Sequence, residues 1–287
     1  MRGFLLAALF VTIWASAFTA IRGMVPEWPA LWGLAARFTL VTPLLLAVVL
    51  WRGARAPSRA DGWRIGVMGV FGSACYLGGA WMGARVLPTG LVALLSATAP
   101  LFVAGGEVLF FKRRLPPLAW AGLALGWLGV AVLGIGRGAL GVRAEELHGL
   151  GFVLGGALSQ AIGILAFSPA RGRVDPWVAN AGQAGVAACT MLVLANLVSP
   201  GLPPPPSETL LWTLAYSVLV VGGAGYALFF VMLARFPAAS AAALQLLAPP
   251  LAALFGWALL GEALGRLDVL GGVVTLAGLL LLFRARR

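Results

Sequence analysis

The chain has 287 residues, of which 61% are hydrophobic and only 10% charged, with a mean hydropathy of +0.98. Roughly a quarter of the residues of a soluble domain are charged, so a water-soluble fold is excluded, and with it most enzyme classes. The formal charge of +11 would suggest nucleic acid in a soluble protein; in a membrane chain it must first be sorted by loop.

A bilayer-spanning helix uses about 20 apolar residues. Long apolar runs broken by Arg, Pro or Gly clusters predict ten spans, at about 4–23, 30–51, 63–86, 89–111, 116–136, 149–168, 177–198, 210–234, 238–260 and 267–283. The connections are short, the most polar being 52–62, 137–148 and the run Pro203 to Pro206. Ala15-Ser16-Ala17 in the first span looks like a signal-peptide cleavage site. Retention is expected instead, because that span has a counterpart in the second half.

Alternate loops differ in basic residues. One side carries Arg2, Arg52, Arg55, Arg59, Arg64, Lys112, Arg113, Arg114, Arg171, Arg173, Arg235, Arg284, Arg286 and Arg287. The other has Arg22, Arg85, Arg137, Arg143 and Arg266, and Arg37 alone lies within a span. Cytoplasmic loops hold the basic excess, so both termini are predicted to be cytoplasmic, and the charge reads as topology rather than affinity for nucleic acid.

The chain also matches itself at a constant offset of 149 residues. Trp28 meets Trp177, Gly33 meets Gly182, Trp63 meets Trp212, Pro88 meets Pro237, Pro100 meets Pro249, Gly122 meets Gly271 and Gly129 meets Gly278. Matches of the rarer Trp and Pro at one offset are not the chance coincidence of an apolar composition. The repeats are 1–137 and 149–287. Five spans per repeat is an odd number, so the second half must cross the membrane in the opposite sense. The predicted fold class is therefore an all-α integral membrane protein of two inverted five-helix repeats, an arrangement that supports alternating access in many secondary transporters.

Trp14 in Trp-Ala-Ser-Ala-Phe, the pair Arg37-Phe38, the prolines Pro100 and Pro249, Gly261-Glu262 and the glycines Gly271 and Gly278 together resemble the EamA-type members of the drug/metabolite transporter superfamily, over essentially the whole chain. One departure is Lys112-Arg113 where the second repeat has Gly261-Glu262. The resemblance implies an inner-membrane carrier, usually an exporter of amino acids or other small metabolites.

Within the spans, a helix-interior proline leaves the carbonyl four residues earlier without its donor. Pro100 would free the carbonyl of Ser96 and Pro249 that of Gln245, and these two polar residues are themselves repeat partners. Gln245 and Ser96 are thus the first candidates for substrate binding. Gln160 is an amide in an apolar span, facing either a wet cavity or another helix. Tyr76, Tyr226 and Trp14 lie mid-span and suit stacking on an amphipathic molecule, Tyr226 being one position out of register with Tyr76. Arg37 is expected to serve structure or gating ahead of direct binding, by snorkelling outward, bonding carbonyls or attracting a carboxylate. Glu107 is expected to snorkel towards Lys112 and Arg113, and His148 to lie at the surface. The glycine pairs Gly79 with Gly83, Gly122 with Gly126 and Gly151 with Gly155 are expected to let helices approach closely.

No cofactor or metal site is expected, since Cys75 and Cys189 sit in apolar runs and no His-Glu-x-x-His or paired membrane aspartates occur. That argues against an intramembrane enzyme. The partners expected are the bilayer and a small molecule, an amino acid or related compound moved outward. The alternative is a transporter or flippase of drug-like, nucleotide-sugar or lipid-linked cargo, for which Arg37 alone is thin provision of cations.

Overall fold

The computed structural model describes residues 2–24, 27–87, 89–136, 147–260 and 265–285. All regular structure among them is helical, and nine helices are long and apolar enough to cross a membrane. In chain order the helices are α1 (Arg2–Met24), α2 (Ala30–Trp51), α3 (Arg59–Val67), α4 (Tyr76–Gly83), α5 (Thr89–Ser96), α6 (Ala99–Phe111) and α7 (Pro117–Gly136). The second half supplies α8 (Leu147–Phe167), α9 (Pro176–Val198), α10 (Glu208–Tyr216), α11 (Tyr226–Arg235), α12 (Ala238–Ala243), α13 (Ala248–Leu260) and α14 (Arg266–Ala285). The described residues of α1 include one apolar stretch, Leu5–Ala17, shorter than a span.

Helix starts follow local capping chemistry. The Ser58 hydroxyl accepts from the Asp61 N–H, Asp175 accepts from the Trp177 N–H ahead of Pro176, and Ser207 accepts from the Leu210 N–H. Each satisfies an amide that has no partner inside its helix. The end of α6 is less comfortable, because Lys112 adopts φ +51°, a left-handed conformation that favours glycine. Its repeat partner is a glycine, Gly261, which with Glu262 lies outside the described residues.

Two spans contain a π-helical segment, Met68–Cys75 between α3 and α4, and Ser217–Gly225 between α10 and α11. They begin at repeat positions, and the second is one residue longer, nine against eight. The extra residue accounts for the one-position offset of the tyrosines: Tyr76 and Tyr226 each open the α-helix that follows the π segment.

In lipid, apolar side chains gain little from leaving their solvent, so helix association depends on close fit. The outside of the molecule accordingly shows large apolar residues such as Leu50 and Phe110, with Trp63 and Trp212 exposed near helix ends. Helices α7 and α14 come close enough to exclude any side chain. A Cβ at Gly122 would lie 2.8 Å from the Gly278 carbonyl oxygen, and one at Gly278 would lie 2.7 Å from that of Gly122. The contact recurs with the partners exchanged, each of Gly129 and Gly271 having the other's carbonyl oxygen 2.6 Å from its would-be Cβ. The repeat partners Thr275 and Gly126 meet directly, Thr275 Oγ1 donating to the Gly126 carbonyl at 3.4 Å.

Close approach of α8 to the third span uses different glycines from those expected. Gly151 and Gly155 face outward with nothing near them, whereas Gly149, Gly156 and Gly163 abut Leu87, the Tyr76 carbonyl and Gly72. Their seven-residue spacing keeps all three on one helix face. Gly79 and Gly83 do meet α8, at the Phe152 carbonyl and Val153.

Candidate functional site

The regular α-helical pattern of the fourth and ninth spans is interrupted at their prolines. Helix α5 ends at Ser96, and the Thr98 N–H and hydroxyl both turn back to the Leu95 carbonyl, at 3.1 and 2.6 Å. Helix α6 then restarts at Ala99 with Pro100 in its first turn. In the second half, α12 tightens into a 3₁₀ turn, Leu244–Leu247, before α13 restarts at Ala248 with Pro249. Each proline thus sits where its missing N–H leaves no bond unmade, not inside a continuous helix. The expected free carbonyl at Gln245 is not found, because the Ala248 N–H donates to it.

Trp14, Tyr76, Ser96, Pro100, Gln245 and Pro249 line one cavity, together with Ala97, Leu246 and Ala248. Its volume is about 20 Å³ for the centre of a water molecule, near the room one water needs and far below that of a metabolite. Of the residues chosen from sequence, Trp14, Tyr76, Ser96 and Gln245 and both prolines thus line one small cavity, whereas Gln160 and Tyr226 are not part of its wall.

Gln160, from α8, joins this group by donating from Nε2 to Gln245 Oε1 at 3.2 Å. The bond leaves Gln160 Oε1 and Gln245 Nε2 buried without a partner within the protein. Exchanging O and N in both amides leaves the same remainder, one acceptor and one donor. Tyr226 stands behind the lining: its ring centre is 5.1 Å from that of Trp14, and its hydroxyl has no partner. Arg37 stands behind Tyr226, its guanidinium carbon 5.6 Å from that ring centre and 5.4 Å from that of Phe38. At 3% exposure Arg37 does not snorkel.

A second buried polar group was not singled out in the sequence. Ser73 of the first π segment donates to Gln183 Oε1, Gln183 Nε2 donates to Asn180 Oδ1 at 2.9 Å, and Asn180 Nδ2 donates to the carbonyls of Gly222 and Gly223 at 3.0 and 3.1 Å. This chain runs through α9 and ties one π segment to the other, taking up carbonyls that the widened helix exposes. The search for amides within apolar spans that picked out Gln160 would also have found Asn180 and Gln183.

The ends of the bundle carry further bonds between the halves. At one end Asp61 pairs with Arg64 at 2.8 Å and Arg173 at 2.7 Å, and Arg52 lies 3.9 Å from Asp175. Glu107 is buried there, accepting from Arg113 and from the Ala238 N–H, both at 3.2 Å. It therefore serves the start of α12 as well as Arg113, one of the two basic residues it was expected to meet. At the other end Ser207 donates to Glu27 at 2.6 Å and Trp28 Nε1 donates to the Pro204 carbonyl at 2.8 Å. His148 is exposed on the first turn of α8.

Comparison with known proteins agrees with this architecture. A crystal structure superposes with a TM-score of 0.80 over 99% of this chain and 97% of the other, at 21% identity, a likeness of fold. A probable terminal-alkyne amino-acid exporter of Streptantibioticus cattleyicolor is 27% identical over 96% of this chain and 91% of its own length. The uncharacterized transporter YdfC of Bacillus subtilis is 29% identical over 94% and 87%, respectively. The uncharacterized inner membrane transporter YedA of Escherichia coli K12 is 34% identical over 42% of this chain and 39% of its own. The model of the EamA-like transporter family matches residues 1–135 and 147–284. This multi-pass, all-helical chain belongs to the EamA-like transporter family, whose members are transporters and not enzymes.

Proposed function

We propose that the protein is an inner-membrane carrier that exports small amphipathic metabolites, amino acids or related compounds, by alternating access. It has ten crossing helices in two inverted repeats, 1–137 and 149–287, with both termini cytoplasmic. The observation that carries the substrate reading is the Gln160–Gln245 pair. It bridges α8 and the break before α13 beside the cavity, and it leaves one donor and one acceptor side by side. A solute with both an acceptor and a donor, as an amino acid has, satisfies both. Support for the inverted repeats comes from the reciprocal glycine contacts of α7 and α14 and from the paired π segments. A two-fold contact of this kind is isologous, each partner presenting the same patch to the other. The amino-acid exporter among the relatives points the same way.

Bonds between the halves hold both ends of the bundle together. Loading a substrate therefore requires one set, at Asp61 and Glu107 or at Glu27 and Trp28, to release while the other holds. Counterflow in proteoliposomes tests the reading: vesicles are preloaded with single unlabelled amino acids, and entry of the labelled compound is followed without an ion gradient. Saturable, accelerated entry for a subset is the expected result. Silence across the panel would remove the amino-acid assignment.

A further inference from the structure

We propose that Arg37 is a subsite for a substrate carboxylate, reached from the central cavity when the layer formed by Trp14 and Tyr226 parts. The inference rests on the carrier reading for the role of the cavity, and adds the chemical class of the cargo. A charge at membrane depth is costly and is ordinarily paired, yet Arg37 is buried with its Nε unpartnered. Among the described residues no carboxylate is bonded to it. Asp61 is held by Arg64 and Arg173, Glu107 by Arg113, Asp175 by Arg52, and Glu27 by Ser207. What Arg37 does have is the faces of Phe38 and Tyr226. These cation–π contacts offset part of the desolvation and leave the guanidinium fork, which matches a carboxylate in two parallel bonds, without an anion.

A purely structural arginine would have no need to stand near the cavity. This one is a single aromatic layer from it, since Tyr226 touches both Arg37 and Trp14, and Trp14 is part of the lining. The Tyr226 hydroxyl is a second unpartnered group in that layer. Tyr226 also opens α11 directly after the longer π segment, a local geometry often found where function needs a helix to adjust. A carboxylate entering there meets the guanidinium and a phenolic O–H, while the remainder of the solute faces the Gln160–Gln245 amides. A solute ammonium would find the Gln160 or Gln245 acceptor and the aromatic faces of Trp14 and Tyr76. Compounds bearing only a cation would meet Arg37 as a like charge.

The test compares three probes of one shape, phenylacetate, phenylacetamide and phenethylamine, by their effect on the thermal unfolding midpoint of the purified protein in detergent. Ligands that bind only the folded state raise the midpoint according to concentration over Kd. Phenylacetate is expected to half-saturate its shift at a concentration ~10-fold below that of phenylacetamide, as a charge-assisted pair outweighs a neutral one, and phenethylamine is expected to give none. Arg37→Gln should abolish the preference for acid over amide, and Arg37→Lys, which keeps the charge but not the fork, should retain part of it. If Arg37→Gln does not fold, the comparison of acid and amide on the unaltered protein decides. Equal effects of the two, or none from either, overturn the subsite. Counterflow of amino acids without an acid preference in this assay would leave the carrier standing and remove Arg37 from it. An acid preference without counterflow would do the reverse.

Discussion

The glycine seam between α7 and α14 and the central cavity, lined by Trp14, Tyr76, Ser96 and Gln245 among others, differ in how completely their atoms are matched. Between α7 and α14 the would-be Cβ atoms of Gly122, Gly129, Gly271 and Gly278 lie 2.3 to 2.6 Å from the nearest backbone atom of the other helix. Around the cavity, Gln160, Gln245, Tyr226 and Arg37 each keep a buried polar atom without a partner. A buried polar atom left without a partner is costly. The difference teaches where the molecule is fixed and where it is able to change: a contact with nothing left to gain holds, and a region with unmatched groups is improved by a ligand or a rearrangement.

The contrast can be broken first on the tight side. Gly129→Val would place a methyl-bearing Cβ 2.4 Å from the Thr275 amide nitrogen. Backbone cannot yield as a side-chain tip can, so loss of the folded species in size-exclusion chromatography is the expected result. Gly151→Ala and Gly155→Ala, outward and unobstructed, should leave the profile unchanged or gain up to about 1 kcal/mol each from helix propensity. A folded Gly129→Val protein would mean that α7 and α14 do not hold the bundle.

On the cavity side, Gln245→Leu and Gln160→Leu each remove one amide of the bonded pair without adding bulk. Each is expected to lower initial transport rates by roughly tenfold or more, the scale of one or two lost hydrogen bonds, and to cost about 1 kcal/mol of stability, because the remaining amide loses its partner. Their effects should not add, because the two amides are bonded to each other. Unchanged kinetics in a folded Gln245→Leu protein would take that residue out of the transport path.

The Ser73, Gln183 and Asn180 chain lies between the two extremes, being buried but satisfied. Asn180→Ala strips donors from two π-segment carbonyls and should cost about 1–2 kcal/mol, the upper part of the range for side-chain bonds between membrane helices. Thermal unfolding at several denaturant concentrations would read it. The smallest effect concerns the two ends of the repeat. Lys112→Gly relieves the left-handed residue that closes α6 and should stabilise the protein by about 1 kcal/mol, visible as a modest rise in unfolding midpoint.

Much of this was legible in the sequence, for reasons that can be stated residue by residue. Hydropathy marked the long helices because lipid demands uninterrupted apolar length, and the offset of 149 singled out the four glycines of α7 and α14, although those that meet, Gly122 with Gly278 and Gly129 with Gly271, are not repeat partners. The cavity-lining residues Ser96 and Gln245 were found through their prolines, although the local geometry differs: each proline sits in the first turn of the helix that follows, and the Gln245 carbonyl is taken by the Ala248 N–H. A local rule identifies a disrupted helix, but how the disruption resolves depends on which neighbours take up the loose groups. The register slip at Tyr226 had no sequence explanation, because a π segment is an insertion in geometry that leaves hydropathy untouched. Gly151 and Gly155 were chosen for a four-residue spacing, and Gly149, Gly156 and Gly163 do the packing; which face of α8 meets protein and which meets lipid is decided by tertiary contact, and both faces are apolar.

The central claim is that the halves part on either side of the cavity in turn. Ser96→Cys, in a background of Cys75→Ser and Cys189→Ser, places a thiol on the cavity wall. Its rate of modification by a membrane-impermeant maleimide is measured in right-side-out and in inverted vesicles. Labelling from both sides, slowed on both by a transported solute, is the predicted result. Labelling from one side only, under every condition and with or without solute, would contradict alternating access through this cavity.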